Sequence, residues 1–181
     1  MTAQLNPTYT LWLVPSAPER SSFVAEINTL SFSLGTRPFE PHVTLLSLPP
    51  NTSLTSVKSA ASELSTSFSS LNVTVTGVEA GTDLKHWNFR CVYLRIELQA
   101  QLIKLYAAAK SAFSLISDDS IFMPHLSLCY SDCNTEIRNK ARDESAARYI
   151  KSTVLLNRLQ IWDCTGIDTD RWHLIEDYPL S

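Results

Sequence analysis

One short pattern occurs twice, and its recurrence limits what this chain can fold into. His42-Val43-Thr44 returns as His125-Leu126-Ser127, each directly preceded by a proline, and the two histidines stand 83 positions apart in a chain of 181 residues. The same offset superposes other patterned segments. Phe23, Ile27, Leu30 and Leu34 follow helical spacing, as do Leu98, Leu102, Leu105, Ala109 and Ala112, so helix 18–34 lands on 101–117. Leu54, Val57, Ala61, Leu64 and Phe68 recur every three or four residues. That makes an amphipathic helix of a Ser/Thr-rich stretch that composition alone would read as disorder, and 53–68 lands on the charged segment 136–151. Strict alternation over 71–78 predicts a half-buried strand, which lands on 154–161, and strand 90–98 lands on 173–181. Each half reads helix, histidine strand, helix, strand, strand. The expectation is an α+β fold, a single bilobal domain over 1–181 with two similar lobes about a pseudo-twofold axis.

Local signals agree with this division. Strand 10–15 ends at Pro15, and Ser16, Pro18 and Glu19 read as a capped helix start, with Gly35 as its stop. The chain has only four glycines, with neither a GxGxxG nor a P-loop, so phosphate recognition falls to side chains. The net charge of −3 gives no global field for nucleic acid, so no stable nucleic-acid partner is expected and an anionic ligand needs a local site. No run is apolar enough to cross a membrane, and residues 1–10 lack the charge and apolar core of a secretion signal. A cytoplasmic monomer with Cys91, Cys129, Cys133 and Cys164 as thiols is the expectation.

The chemistry sits on the repeated strands. Residues i and i+2 of a strand share a face, so His42 pairs with Thr44 and His125 with Ser127, each pair set in apolar sequence. If the lobes bring these faces together, two imidazoles and two hydroxyls converge. One neutral imidazole can take a proton from a nucleophile and one protonated imidazole can give a proton to a leaving oxygen, while the hydroxyls donate to nonbridging phosphate oxygens. That set can open a phosphodiester with no metal or other cofactor. Ordinary imidazoles place both limbs of the pH profile between about pH 5 and 8.

Paired His-x-(Thr/Ser) strands resemble the 2H phosphoesterases, and longer stretches resemble the cyclic phosphodiesterases of plants and fungi. The matching pieces are Leu11-Trp12-Leu13-Val14-Pro15, Phe39-Glu40-Pro41-His42-Val43-Thr44, Cys91-Val92-Tyr93-Leu94 and Met123-Pro124-His125-Leu126-Ser127-Leu128-Cys129-Tyr130. The resemblance implies two antiparallel sheets facing a central cleft, with helices outside. It implies hydrolysis of ADP-ribose 1″,2″-cyclic phosphate and of nucleoside 2′,3′-cyclic phosphates to 2′-phosphates, in the wake of tRNA splicing. It carries His42 and His125 over as catalytic, and Thr44, Ser127 and Tyr130 as phosphate-binding. It places Trp12 beside the cleft as a substrate contact, and it leans toward His125 as the activator of water. The expected partner is a small cyclic-phosphate nucleotide. The rivals are a 2H enzyme acting on RNA ends or 2′–5′ linkages, and a nucleotide-binding module without turnover.

Other residues admit two readings each. His125, Cys129 and Cys133 have zinc-like spacing on a helix, but on a strand residues four apart lie roughly 13 Å from each other, so no metal site is expected. Cys129 shares the alternation of His125 and Ser127 and could line the cleft, or be an inert buried thiol. His86, Trp87 and Phe89 could cover a sheet edge or stack on a base, with Trp87 the candidate contact. His173 reads as structural, and the basic residues Arg138, Lys140, Arg142 and Arg148 read as a solvated helix face.

Overall fold

The structure, a computed structural model, describes residues 7–81, 90–115, 121–166 and 168–181. Its elements are β1 (Tyr9–Pro15), α1 (Ala17–Leu34), β2 (Val43–Ser47), α2 (Leu54–Ser67), β3 (Leu71–Ala80), β4 (Val92–Ile96), α3 (Ala100–Ala112), β5 (His125–Cys129), α4 (Thr135–Tyr149), β6 (Thr153–Asp163) and β7 (His173–Pro179). The Ser/Thr-rich stretch is helical because Val57, Ala61 and Leu64 form one buried stripe. Helix α1 stops at Gly35, whose φ of 63° is a conformation glycine adopts without steric cost. At its start Ser16 is the cap residue, but its hydroxyl pairs with the Glu19 carboxylate instead of a backbone N–H.

All strands pair antiparallel in the order β1-β2-β5-β4-β3-β6-β7, and β1 also pairs with β6, so six strands close on themselves. The two expected sheets are therefore halves of one hydrogen-bonded sheet. They join at β2–β5 through Val43↔Leu126 and at β3–β6 through pairs that include Asn72↔Leu155. In both of these pairs a residue faces its own repeat mate, so the pseudo-twofold axis passes through both junctions. The flanking pairs exchange under the same offset: Leu71↔Leu156 becomes Val73↔Val154, and Leu11↔Ile161 becomes Val78↔Leu94.

One sheet face is the core. Leu11, Leu13, Leu94, Leu126, Leu159 and Ile161 are fully buried there beneath the helices. The helices cross over: α1 packs on β5, α3 on β2, α2 on β6 and α4 on β3. Each half thus covers the histidine strand of the other, and neither lobe can bury its strands alone. The α4 face is less solvated than its charge suggests. Arg148 and Ser145 reach the buried Glu26 of α1, and Arg138 donates to the carbonyls of Gly81 (2.5 Å) and Cys133 (2.8 Å). Among the described residues no helix is long and apolar enough to cross a membrane.

Candidate active site

The opposite face of the sheet is concave, and the histidine strands meet at its centre. Val43 and Leu126 point into the core with no exposure, which turns His42, Thr44, His125 and Ser127 to the other side. Continuing the antiparallel register from Val43↔Leu126 sets His42 opposite Ser127 and Thr44 opposite His125. Each imidazole therefore neighbours the hydroxyl of the other strand.

The rings are fixed alike. Nδ1 of His42 donates to the Glu40 carbonyl at 2.6 Å, and Nδ1 of His125 donates to the Met123 carbonyl at 2.9 Å. A carbonyl only accepts, so each Nδ1 carries the proton and Nε2 is left for the cleft. Glu40 is in turn held by Arg20 of α1, with Nη2 at 2.9 Å from its carboxylate. A cavity of about 490 Å³ lies over these rings, lined by His42, Thr44 and His125 together with Trp12, Arg90, Tyr130 and Trp172.

Each histidine strand has a β-bulge just past its hydroxyl residue. Trp12 pairs with Thr44 but Leu11 with Leu46, so Leu45 is an extra residue; Tyr93 pairs with Ser127 but Val92 with Cys129, so Leu128 is extra. The inserted residue reverses the alternation. Ser47 and its repeat mate Tyr130 thereby reach the cavity, whereas Cys129, expected from simple alternation to share the face of His125, is fully buried in the core. Cys129 lies there beside Cys91, whose Sγ is 3.6 Å from that of Cys133, and all four cysteines are free thiols. His125, Cys129 and Cys133 do not converge, and no group of three or more metal-ligating side chains occurs among the described residues.

The register also breaks the twofold. The β4–β5 pairing is slipped by two residues relative to β1–β2, so Trp12 lies opposite Thr44 but Tyr93 opposite Ser127. His42 is stacked flat on Trp12, with ring centroids 3.4 Å apart and planes 2° apart, while His125 meets the edge of Tyr93 at 5.3 Å. Trp162 stacks on Trp12 as well, at 4.4 Å. Between them Trp12 is 1% exposed, so it backs the site and offers a ligand little of its ring.

Tyr130 stacks on Phe39 at 3.8 Å and shares a hydrogen bond with Ser127. Ser127 is 4% exposed and outside the cavity lining, whereas Thr44 and Tyr130 are in it. Trp87, His86 and Phe89 lie outside the described residues. His173 is exposed, with Nδ1 on the Arg171 carbonyl at 3.2 Å, and does not line the cavity. Sequence reasoning missed Arg90, Trp162, Trp172 and Ser47. Of these, Ser47 was within reach, because the offset maps it onto Tyr130. Trp162 follows the polar alternation of β6.

Residues 8–180 match the family of cyclic phosphodiesterase-like proteins. The chain belongs to this family of 2H phosphoesterases. The fold of this cyclic phosphodiesterase-like protein is similar to that of TT0787 of Thermus thermophilus, with a TM-score of 0.65 and 12% identity over 96% of this chain and 97% of that one. It is also similar to E. coli LigT, solved without ligand (TM-score 0.58, 15% identity) and in complex with 3′-AMP (0.61, 16%), each over 98% of this chain and 99% of the other. No curated protein matches the chain in sequence.

The electrostatics of the cleft favour neutral rings. Burial pushes His42 down to about 3, outweighing the Glu40 carbonyl, with a further contribution from the charge of His125. His125 is lowered in the same direction, chiefly by burial and also by the charge of Arg90, against the Met123 carbonyl. An unfolded chain has ordinary histidines near 6.5, so it binds protons that the native state refuses. The stabilising effect is complete above about pH 6.5 and is lost as pH falls toward 3, with about 2–3 kcal/mol gone at pH 4.5 for His42. Urea unfolding at pH 7 and 4.5 checks this. The wild type should lose more stability between the two than His42→Gln does, and equal losses would contradict a neutral, buried His42.

Proposed function

We propose that this chain is a metal-independent cyclic phosphodiesterase that opens ADP-ribose 1″,2″-cyclic phosphate and nucleoside 2′,3′-cyclic phosphates, the latter to 2′-phosphates, on products of the kind left by tRNA splicing. The observation that carries this is the matched pair of imidazoles in one cavity, both tied at Nδ1 to a carbonyl two residues back and both with Nε2 left over. One Nε2 takes a proton from water as its oxygen attacks phosphorus. The other imidazole, protonated, gives its proton to the ribose oxygen as the P–O bond breaks. A bound phosphodiester anion favours the imidazolium that burial disfavours, so ligand binding itself supplies the acid. The size of the cavity suits a nucleotide, and E. coli LigT, of the same fold, was solved with 3′-AMP and with ATP.

Phosphorus NMR of the products from a 2′,3′-cyclic nucleotide and from ADP-ribose cyclic phosphate, with chelator present, tests the reading. A 2′-phosphate and a 1″-phosphate are expected. Tight binding with no new phosphorus signal from either compound would leave a binding module instead.

The hydroxyls are not equivalent. Thr44 faces the cavity, so Thr44→Ala should cost about 10²–10³ in kcat, as for loss of one donor to a developing charge, while Thr44→Ser should cost far less. Ser127 reaches the phosphate through Tyr130. Ser127→Ala and Tyr130→Phe should each slow turnover, and the double variant should be little slower than the worse single one. Wild-type rates for Thr44→Ala and Ser127→Ala would make both hydroxyls structural.

A further inference from the structure

The cleft is not closed on its His125 side. A groove of about 350 Å³ continues past it, lined by Arg90 and Arg95 with Leu98, Phe122 and Met123. Arg90 belongs to both spaces and is the one lysine or arginine among the described residues lining the central cavity. Met123, whose carbonyl orients His125, lines the groove. Arg95 sits opposite His125 on β4 and is paired with Glu79 at 2.6 Å, which holds its guanidinium at the groove.

The backbone that carries Arg90 is fastened closely. A Cβ on Gly81 would lie 2.0 Å from the Arg90 carbonyl oxygen, so only glycine lets the two segments approach. The Gly81 N–H donates to the Cys91 carbonyl at 3.0 Å, and Arg138 holds the Gly81 carbonyl. The repeat offers no counterpart: the offset carries Arg90 onto His173, which is exposed and outside the cavity. A cyclic phosphodiester bears a single negative charge, and Thr44, Tyr130 and an imidazolium already meet it. The Arg90 guanidinium on one side, with Arg95 next along the groove in its pair with Glu79, exceeds what that ester requires.

We propose that Arg90 and Arg95 form a second anion subsite, which receives a phosphate or pyrophosphate carried by the substrate at the end remote from its cyclic ester. This rests on the reading that the central cleft opens cyclic phosphates. It makes the preferred substrate class a cyclic phosphate with a second phosphate group. Arg90 is the specificity residue, and Arg95 extends its reach along the groove.

The test compares kcat/KM for adenosine 2′,3′-cyclic phosphate, the same compound with a 5′-phosphate, and ADP-ribose 1″,2″-cyclic phosphate. The wild type should favour the second and third by about tenfold or more, the scale of a hydrogen bond to a charged group. The 5′-phosphate compound and ADP-ribose cyclic phosphate separate a monophosphate from a pyrophosphate occupant. Arg90→Gln should bring the preference to within about twofold, Arg95→Gln should reduce it, and Arg90→Lys should keep part of it. Arg142→Gln, on α4 and outside both spaces, should retain it. Equal kcat/KM for all three substrates in the wild type, or an equal loss on all three in Arg90→Gln, overturns the subsite. Calorimetry with adenosine 2′-phosphate and adenosine 2′,5′-bisphosphate separates the two readings. Tighter bisphosphate binding that depends on Arg90, without turnover of any cyclic compound, keeps the subsite and removes the hydrolase. Turnover without preference does the reverse.

Discussion

Alanine at either His42 or His125 should lower kcat by about 10²–10⁴, the usual contribution of a positioned acid or base, and the double variant should be little slower than the worse single one. In the proposed reaction the two imidazoles act on one transition state, so once one is gone the other has less to assist. Because kcat/KM reports the free enzyme, the pH profile should also depart from what the sequence alone suggests. The acid limb marks where the base becomes neutral and the alkaline limb where the acid loses its proton. Burial lowers both histidines, so both limbs should lie below about pH 6.5 instead of spanning 5 to 8. The variant that loses the acid limb lacks the base, and the one that loses the alkaline limb lacks the acid, which assigns the two roles. His42 is 5% exposed and satisfies the Glu40 carbonyl, so His42→Asn, which keeps a donor but no basic nitrogen, guards against a merely misfolded alanine variant. His173→Ala should stay within a few-fold of wild type. Either cleft histidine proving dispensable, or His173 proving as costly as His42, would end the two-histidine reading.

The offset between the histidine motifs was legible in the sequence because it relies on spacing alone, and it reappears in the ladder as the self-paired Val43↔Leu126 and Asn72↔Leu155. Alternation correctly turned His42, Thr44, His125 and Ser127 away from the core. It failed two residues further on, at Cys129, because the bulge at Leu128 is a property of the pairing between strands and leaves no mark in one strand's own pattern. Tyr130 entered the candidate site only through the family resemblance, and the bulge is the physical reason it belongs there. Arg90 escaped because its position depends on contacts at Gly81 with Arg90 and with Arg138, residues distant in sequence. The joining of two sheets into one was likewise out of reach, since it depends on inter-strand registers that no single segment encodes. Trp12 was placed beside the cleft by resemblance, as a substrate contact, but nothing in the sequence showed that His42 and Trp162 would cover its ring.

That covering gives Trp12 its own expected result. Trp12→Ala removes a buried indole between β2 and β6, and a core change of this kind typically costs about 3–5 kcal/mol of stability. The loss should extend to chemistry, because the same indole lies flat against the catalytic candidate His42. With the indole gone water reaches the imidazole, the burial that holds His42 near 3 relaxes, and its pKa should rise toward the ordinary 6.5. The ring also loses the surface that fixes its plane, so kcat should fall even where the variant is fully folded. Trp12→Phe keeps a flat ring at that position and should preserve most of the rate and of the depressed pKa. KM should change little in Trp12→Phe, since a residue 1% exposed has almost no ring to offer a base. Titration of the His42 ring proton by NMR, measured beside the unfolding free energy, distinguishes this from ordinary core packing. A Trp12→Ala protein that loses stability while His42 titrates as in the wild type would show the indole to be core alone. A rise of His42 with a fall in kcat would show that the first strand positions the histidine it stacks against.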